Sequence, residues 1–531
     1  MNAPLVVDPR PPVKHGQVLG ARCIRCDRAV ARRAGRCEAC GGGLKDASFG
    51  PGGTVWSAAA VHLPVGPREP GFVLVSVDLD VAGPRVLLRS TGAAVPAPGE
   101  RIEVTGVADD GTDDILCSPA AATGPDESGY RAVHATNASS AYRVLALTDE
   151  LTVVSGVGTS HFGRFPERRI EELAWEAIIE ALDDARLEAS DVDAAVVSSV
   201  FGPPGLANRV LAGAGLAGVP TFQVEAACAS GTVAFHEAWQ AVQAGRYGRV
   251  LAVGVEQLST QFAGAIVPEP TDPDGRTGLA MPALYALQAN RHLHTHGLDC
   301  DLLAHVAVKN KHHGASNDRA HLGDDTVTIQ RILESRPVAG PLTLLQCCPM
   351  TDGAAAAVIE PAATSTRPDR AVDIIAARFT SGAPWGSRTE LPWGFSTVRS
   401  TAAAALADAG LTINDIDLFE VHDAFTIGEI LTIEAIGLAS PGGGLDLTAS
   451  GATTLGGPTP VNPSGGLLSR GHPLGATGLA QIAEAVWQVR GEAGPRQVEG
   501  ARTALVETMG GGAAGVDANA CVVAVLRGRA L

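Results

Sequence analysis

Three short segments each set one chemically versatile side chain in an apolar or glycine-rich surrounding: Cys228 in VEAACASG, His422 in LFEVHDAF and His472 in SRGHPLGATG. A thiol and two imidazoles are the parts of a nucleophilic centre, in which an imidazole takes the thiol proton and the sulfur attacks an electrophilic carbon. The run TFQVEA reads as a buried strand that turns at Cys228. A helix is expected next, with Val233, Ala234, Ala238, Ala241 and Val242 on or near one face and an end at Gly245. A cysteine at a helix entry meets unpaired N–H groups and the positive end of the dipole, which lower a thiol's pKa. His472 precedes a second predicted helix, GATGLAQIAEAVWQVRG, striped by Ile482, Ala485, Val486 and Val489. The same arrangement thus serves both residues: a reactive side chain on the tight turn into a helix, with glycine admitting a substrate to the backbone. His422 ends the apolar strand IDLFEV ahead of a helix that stops near Gly437. Strand ends are where open α/β sheets hold their sites.

A second constellation lies near the N-terminus. Cys23, Cys26, Cys37 and Cys40 form two CxxC knuckles separated by ten residues, a pattern that places four thiolates tetrahedrally around a structural zinc ion. Iron competes for the same S₄ geometry. The remaining cysteines carry no such pattern: Cys347 and Cys348 sit in an apolar run and read as core packing, and Cys117, Cys300 and Cys521 as buried or incidental thiols. The histidines at 292, 294, 296, 312 and 313 mix helix faces, so a solvated or cap-region role is expected rather than a metal site.

These residues need elements to hold them. After the knuckles, TVWSAAAVHL, GFVLVSVDLD, RVLLRS and ERIEVTGVAD are short β-rich runs separated by proline and glycine turns, which suits a four- or five-strand OB-fold barrel. With 531 residues and 45% hydrophobic content, several cores can be buried. The expected division is a rubredoxin-like zinc ribbon over 15–48, the barrel over 49–118, a linker over 119–150, and an α/β region in two halves, 151–365 and 370–531. Both halves open with a strand followed by an amphipathic helix: GVGTSHFG before EELAWEAIIEALDDARL, and AVDIIAARF before TAAAALADAGL. Arg22, Arg25, Arg28, Arg32, Arg33 and Arg36 make a basic cluster in a chain of net charge −17. A solvated face is the first reading of that cluster, coenzyme A phosphates or a subunit contact the next. The overall acidity and the few barrel aromatics argue against a nucleic-acid partner.

From about Leu151 to Leu531 the chain resembles the thiolases, nearest to their sterol-carrier or lipid-transfer branch. Besides the three segments above, the resemblance rests on GTSHFGRF, LAVGVEQLS, SRPVAGPLTLLQCCPMTDGAAAAVI and the terminal ETMGGGAAG. It implies two related halves stacked in α-β-α-β-α layers, a thioester formed on Cys228, activation by His472, and an oxyanion hole to which His422 contributes. A second oxyanion hole would use the backbone N–H groups of Cys228 and Gly510. The ribbon and barrel are similar to the DUF35-type partners of such enzymes, so the chain reads as a natural fusion. Two departures stand out: where thiolases carry a second cysteine, this chain has Thr508 in the terminal motif and Ala424 after His422–Asp423.

The implied function is acyl transfer on a β-ketoacyl-CoA, by thiolytic cleavage or exchange, with coenzyme A as substrate or product and zinc as a structural metal. The alternatives are a retro-aldolase acting on a β-hydroxyacyl-CoA, such as a steroid or lipid side chain, and a lipid or acyl-CoA carrier. The segment MNAPLVVDPRPPVKHG has no apolar core of a secretory signal, and no run of about 20 apolar residues suggests a membrane span. A cytoplasmic homo-oligomer, dimeric or larger, is expected.

Overall fold

The computed structural model describes residues 8–31, 35–120, 151–262, 264–266, 269, 271–386, 389–511 and 514–529. The expected linker therefore lies, from residue 121 to 150, outside the described residues, as do Arg32 and Arg33 of the basic cluster.

Near the N-terminus the strands Val13–Lys14, Gln17–Cys23, Ala29–Val30 and Leu44–Phe49 form a small sheet that carries the two CxxC turns. Five strands then close a barrel in the spatial order Gly52–Val61, Phe72–Leu79, Arg85–Ser90, Ile115–Pro119 and Arg101–Val107, the last pairing back onto the first. Numbered along the chain this is 1-2-3-5-4-1, with the third and fifth strands parallel, the connectivity of an OB-fold. Alternation along these strands sends Val55, Val73, Val75, Val77, Leu88, Ile102 and Val104 inward to one core.

The larger region is built twice. In the first half, Thr221–Val224, Ala194–Ser198, Val250–Gln257, Asp352–Pro361 and Thr152–Thr159 lie side by side, which is the order 3-2-4-5-1 with the fifth strand antiparallel to its neighbours. The second half repeats it with a bridge at Val461, Leu418–Glu420, Thr503–Gly510, Ala520–Gly528 and Val372–Thr380, in the same relative directions. Helix Ile170–Ala185 covers the outer face of the first sheet and Phe395–Ala409 that of the second. Between the sheets lie Ser230–Gln243 and Leu474–Arg490. The second of these is buried on nearly all sides, so the apolar stripe expected from its sequence is only part of what it buries. A Cβ on Gly478 would stand 2.6 Å from the Thr232 nitrogen, and one on Gly231 3.0 Å from the Gly475 oxygen. Glycine is what lets the two central helices touch backbone to backbone.

The barrel shares its packing with the larger region. The segments Pro337–Ala339 and Leu342–Thr343, from the first half, extend the barrel sheet through Ala339 opposite Val61, an exchange the sequence did not foretell. Asn290 donates to the carbonyls of Ala58 (2.8 Å) and Gly340 (3.0 Å), and Ala59, Val61, Leu74 and Leu87 belong to the same apolar core as Ala286 and Phe425. Trp56 meets Trp385 edge-on at 5.3 Å, with the Arg85 guanidinium over both rings.

At the barrel's other end the fully buried Asp114 is ringed by Arg10 (3.0 Å), Arg89 (3.0 Å) and Arg68. Arg68 also donates to the carbonyl of Arg276 in the larger region (2.7 Å). Removing one partner of a buried ionic cluster leaves uncompensated charge and costs about 3–5 kcal/mol. Asp114→Ala should destabilise the barrel by that amount, read by urea unfolding followed through hydrogen exchange of strands 72–79 and 85–90. Unchanged protection would show that the arginines do not depend on it.

Candidate active site

Cys228 stands two residues before the helix Ser230–Gln243, and His472 two residues before the helix Leu474–Arg490. Each follows the third strand position of its half, so the duplicated fold brings a thiol and an imidazole to one point by equivalent routes. The turn at Cys228 is tight: Ala227 has φ +49°, in the left-handed region that a non-glycine residue enters only when its surroundings enforce it. Ser230 supplies the enforcement, its hydroxyl accepting from the Ala226 nitrogen (2.8 Å) and donating to the Ala227 carbonyl (2.6 Å).

The sulfur of Cys228 and the ring nitrogens of His422 and His472 lie within 4.8 Å of one another. The two imidazoles meet at 72° with ring centres 5.1 Å apart. Thr477 fixes the tautomer of His472. Its hydroxyl donates to the Pro473 carbonyl (3.1 Å) and so receives the Nδ1 proton (2.7 Å), which leaves Nε2 with a bare lone pair. No hydrogen-bond partner meets His472 Nε2 or His422 Nδ1 among the described residues. His422 is set by its backbone, whose N–H donates to Glu507 (3.1 Å). In the first half the Val200 N–H donates to Glu256 (2.8 Å) in the same way. Glu256 also accepts from Gly475 (3.0 Å), tying strand Val250–Gln257 to the turn after His472.

Around His422 a buried polar network holds the loops together. Asp423 accepts from Leu467 (2.7 Å) and from Asn310 (2.7 Å), while Lys309 pairs with Glu429 at 2.6 Å. His313 donates or accepts at both nitrogens, to the Asn462 carbonyl (2.9 Å) and from the Leu455 N–H (2.9 Å). It is therefore a buried clamp. His292, also buried, faces Glu434 at 3.3 Å. A solvated role does not hold for these two, because each lies on the buried face of its helix, His313 within the last turn and His292 one turn earlier; His294, His296 and His312 are exposed in those last turns.

The electrostatics differ from what a helix entry alone implies. Burial pushes the Cys228 thiol up to about 11, helped by Glu256 and Glu225 and opposed by N–H groups of Gly511 and Cys228 itself. Burial also pushes His422 down to about 3 and His472 well below its ordinary value. The resting site is a neutral thiol beside neutral imidazoles, since loss of hydration outweighs the helix end.

Gly511, next to the expected Gly510, is the residue whose N–H reaches the Cys228 sulfur, while Gly510 packs against the Ala226 carbonyl. Thr508 spends its hydroxyl on Gln481 (2.7 Å). Thr477, Gly511, Glu256 and Glu507 were not singled out by sequence, although each lies within a segment that carries the family resemblance, the glutamates near the ends of matching strands.

In the ribbon, the Cys23 and Cys40 sulfurs are 3.5 Å apart and those of Cys26 and Cys37 3.6 Å. A zinc–sulfur distance of about 2.3 Å in a tetrahedron places sulfurs about 3.8 Å apart, so these four could hold the ion. Arg22, Arg25 and Arg36 donate to carbonyls of Asp27, Cys40 and Gly41, and Arg28 pairs with Glu38 at 3.6 Å. They brace the ribbon, and Arg22 also ties it to the barrel through the Val81 carbonyl (2.9 Å). A cleft of about 1500 Å³ runs from Cys228, Met281 and Gly511 to Trp56 and Leu87 of the barrel and to Trp385. Among the described residues no helix is long and apolar enough to cross a membrane.

Comparison with known proteins agrees with this architecture. The thiolase N-terminal domain family matches residues 152–363, and the thiolase C-terminal domain-like family residues 386–523. An acetyl-CoA acetyltransferase of Methanothermobacter thermautotrophicus is 38% identical over 372 residues, covering 67% of this chain and 96% of that protein. Sterol carrier protein 2 of Homo sapiens is 37% identical over 383 residues, 68% of this chain and 70% of that one. The benzoylsuccinyl-CoA thiolase subunit BbsB of Thauera aromatica is 34% identical, with coverages of 68% and 94%. Among solved structures, an Ltp2-ChsH2(DUF35) aldolase superposes with TM-score 0.62 at 24% identity over 72% of this chain and 99% of that chain. A human mitochondrial 3-ketoacyl-CoA thiolase in complex with CoA does so at 0.55 and 18%, over 72% and 98%. These two likenesses concern the fold.

A thiol whose pKa is about 11 gains thiolate roughly tenfold per pH unit well below that value. Iodoacetamide labelling of the Cys228 peptide, followed by mass spectrometry, should therefore climb continuously from pH 7 to pH 10. A rate already level at pH 7 would reveal a standing thiolate instead.

Proposed function

The chain belongs to the thiolase family, and from that membership we propose that it transfers acyl groups of β-ketoacyl-CoA esters through a thioester on Cys228, with the N-terminal ribbon and barrel read as a fused DUF35-like region. The observation that carries this reading is the convergence of a thiol at a strained helix entry with an imidazole whose tautomer leaves Nε2 free to accept its proton. His472 takes the Cys228 proton as sulfur attacks the β-carbonyl. The oxygen of the tetrahedral adduct gathers negative charge, for which His422 in its neutral form supplies an N–H. A second hole, for the thioester carbonyl, is assigned to the N–H groups of Cys228 and Gly510, beside the Gly511 N–H that reaches the sulfur. Free coenzyme A then takes the acyl group.

The cleft suits this chemistry. Its wall of Met281, Leu284, Trp56 and Trp385 is apolar, and a space of about 1500 Å³ exceeds the usual 300–1,000 Å³ of small-ligand pockets. We assign it to a bulky acyl chain with its pantetheine arm, the barrel forming part of the wall. Cys23, Cys26, Cys37 and Cys40 are assigned to one structural zinc ion, which supplies the ribbon's folding energy and no chemical step. The ten free cysteines suit a reducing compartment, and we place the enzyme in the cytoplasm as a homo-oligomer. A retro-aldol reading draws on Ala424 and Thr508, which leave both usual places of a second thiol empty of sulfur.

Incubation with a β-ketoacyl-CoA should add one acyl mass to the Cys228 peptide, and free coenzyme A should discharge it. Cys228→Ala should abolish adduct and turnover; His472→Ala should slow acylation about 10²- to 10⁴-fold, and His422→Ala about 10²- to 10³-fold. A Cys228→Ala protein that still cleaves a β-hydroxyacyl-CoA would establish the lyase reading. For the ribbon, metal analysis should find one zinc per chain, lost in Cys26→Ser together with order in residues 13–49; a metal-free protein with the same ribbon would refute the assignment.

A further inference from the structure

Cleaving a β-ketoacyl-CoA needs a second acid besides His472. When the bond between C2 and C3 breaks, its electron pair goes to C2, and the resulting enolate must be protonated. Neither residue at the usual places can do it: Ala424 has no proton to give, and the Thr508 hydroxyl is buried and bound to Gln481.

The segment ahead of strand Asp352–Pro361 crosses to the second half and lies antiparallel against the turn after His422. Cys347 forms a bridge with Phe425, and the Cys348 N–H donates to the Ala424 carbonyl at 2.9 Å. The main chain of Cys348 thus lies against Ala424, the residue where the family's own cysteine is missing, on a different stretch of chain. The two adjacent thiols are not equivalent. Cys347 donates to the Thr343 carbonyl (3.3 Å), whereas the described residues offer no such acceptor to Cys348. Cys348 is only part-buried. It lies within electrostatic reach of Cys228 and Asp423, and Tyr285, stacked on Phe425 at 4.5 Å, feels both thiols. The imidazole nitrogens without partners, His422 Nδ1 and His472 Nε2, belong to the two histidines grouped with Cys228.

We propose that Cys348 is the acid and base of the carbon–carbon step, standing in for the thiol absent from positions 424 and 508. The assignment rests on the acyl-transfer reading above. In the first half-reaction His472 takes the Cys228 proton, the Cys228 sulfur bonds to C3, and the C2–C3 bond breaks with its electron pair on C2. Cys348 gives its proton to C2, releasing the shortened acyl-CoA and becoming a thiolate. In the second half-reaction coenzyme A gives its thiol proton to Cys348 and its sulfur attacks the thioester. The bond to Cys228 breaks, and Cys228 recovers the proton held by His472. Burial holds the Cys348 thiol well above its ordinary value, so it rests protonated, as a donor must.

Two acyl donors separate this role from a structural one. Acetoacetyl-CoA acylates Cys228 only if C2 is protonated; S-acetyl-thionitrobenzoate releases a stable thiolate that needs no proton. With Cys348→Ala, acylation by acetoacetyl-CoA, followed by mass spectrometry of the Cys228 peptide, should fall at least about 100-fold, in the general-acid range. Acylation by S-acetyl-thionitrobenzoate should stay within about threefold of wild type, and adding Ala424→Cys to that variant should restore acetoacetyl-CoA acylation at least about tenfold. Acetoacetyl-CoA acylation of Cys348→Ala at the wild-type rate would overturn the proposal. So would loss of both reactions in Cys348→Ala and in the near-isosteric Cys348→Ser, which would assign the residue to the fold. Wild-type protein acylated by neither donor would refute the acyl-transfer reading itself.

Discussion

Everything at this site depends on the contact between two buried helices, Ser230–Gln243 and Leu474–Arg490. Their backbones touch at Gly231 and Gly478, where any side chain would force them apart. Each helix is entered from the third strand position of its own half, and each carries its reactive residue two positions before its first turn. Contact between the helices therefore fixes the separation of Cys228 from His472. Burial of the second helix on nearly all sides, much of it apolar, supplies the force, and Glu256, binding Gly475 across the two halves, supplies the register.

The same burial sets the chemistry. A site enclosed enough to fix three side chains within 4.8 Å also strips them of water, and each charged form becomes costly. Thiol and imidazoles rest neutral for that reason, and Glu507 is pushed up to about 7 by the same cause. In the proposed reaction a substrate carbonyl becomes an oxyanion, and there oriented donors in a dry site count most. The surrounding network follows the same logic. Asn310 donates to both Asp423 and Glu429, and Lys309 pairs with Glu429, so that the His422 turn is held by hydrogen bonds within the protein.

Much of this was legible in the sequence. Cys228 and His472 stand out because glycine and small residues crowd an otherwise ordinary strand-to-helix turn. The knuckles stand out because four cysteines have no core to bury in. The barrel's strands show in their alternation, which local spacing sets. What stayed hidden depends on contacts remote along the chain. The hairpin at 337–343 joins a barrel nearly 280 residues earlier, and Cys348 reads as core until its N–H is seen on Ala424. The raised thiol of Cys228 was equally invisible, since a helix entry is written locally while burial is a property of the whole fold. His313 misled for the same reason: its helix end carries histidines as a solvent-facing cap would, but that end points inward at Asn462.

The central claim is that carbon–carbon cleavage here ends in acyl transfer from a cysteine. Product analysis with a β-ketoacyl-CoA and the matching β-hydroxyacyl-CoA, each with and without free coenzyme A, tests it most directly. The account predicts that the β-keto ester is consumed beyond one equivalent per active site only when coenzyme A is present, yielding two shorter acyl-CoA esters, and that the β-hydroxy ester is left intact. Cleavage of the β-hydroxy ester to a carbonyl compound and a shorter acyl-CoA, with no need for coenzyme A, would contradict it.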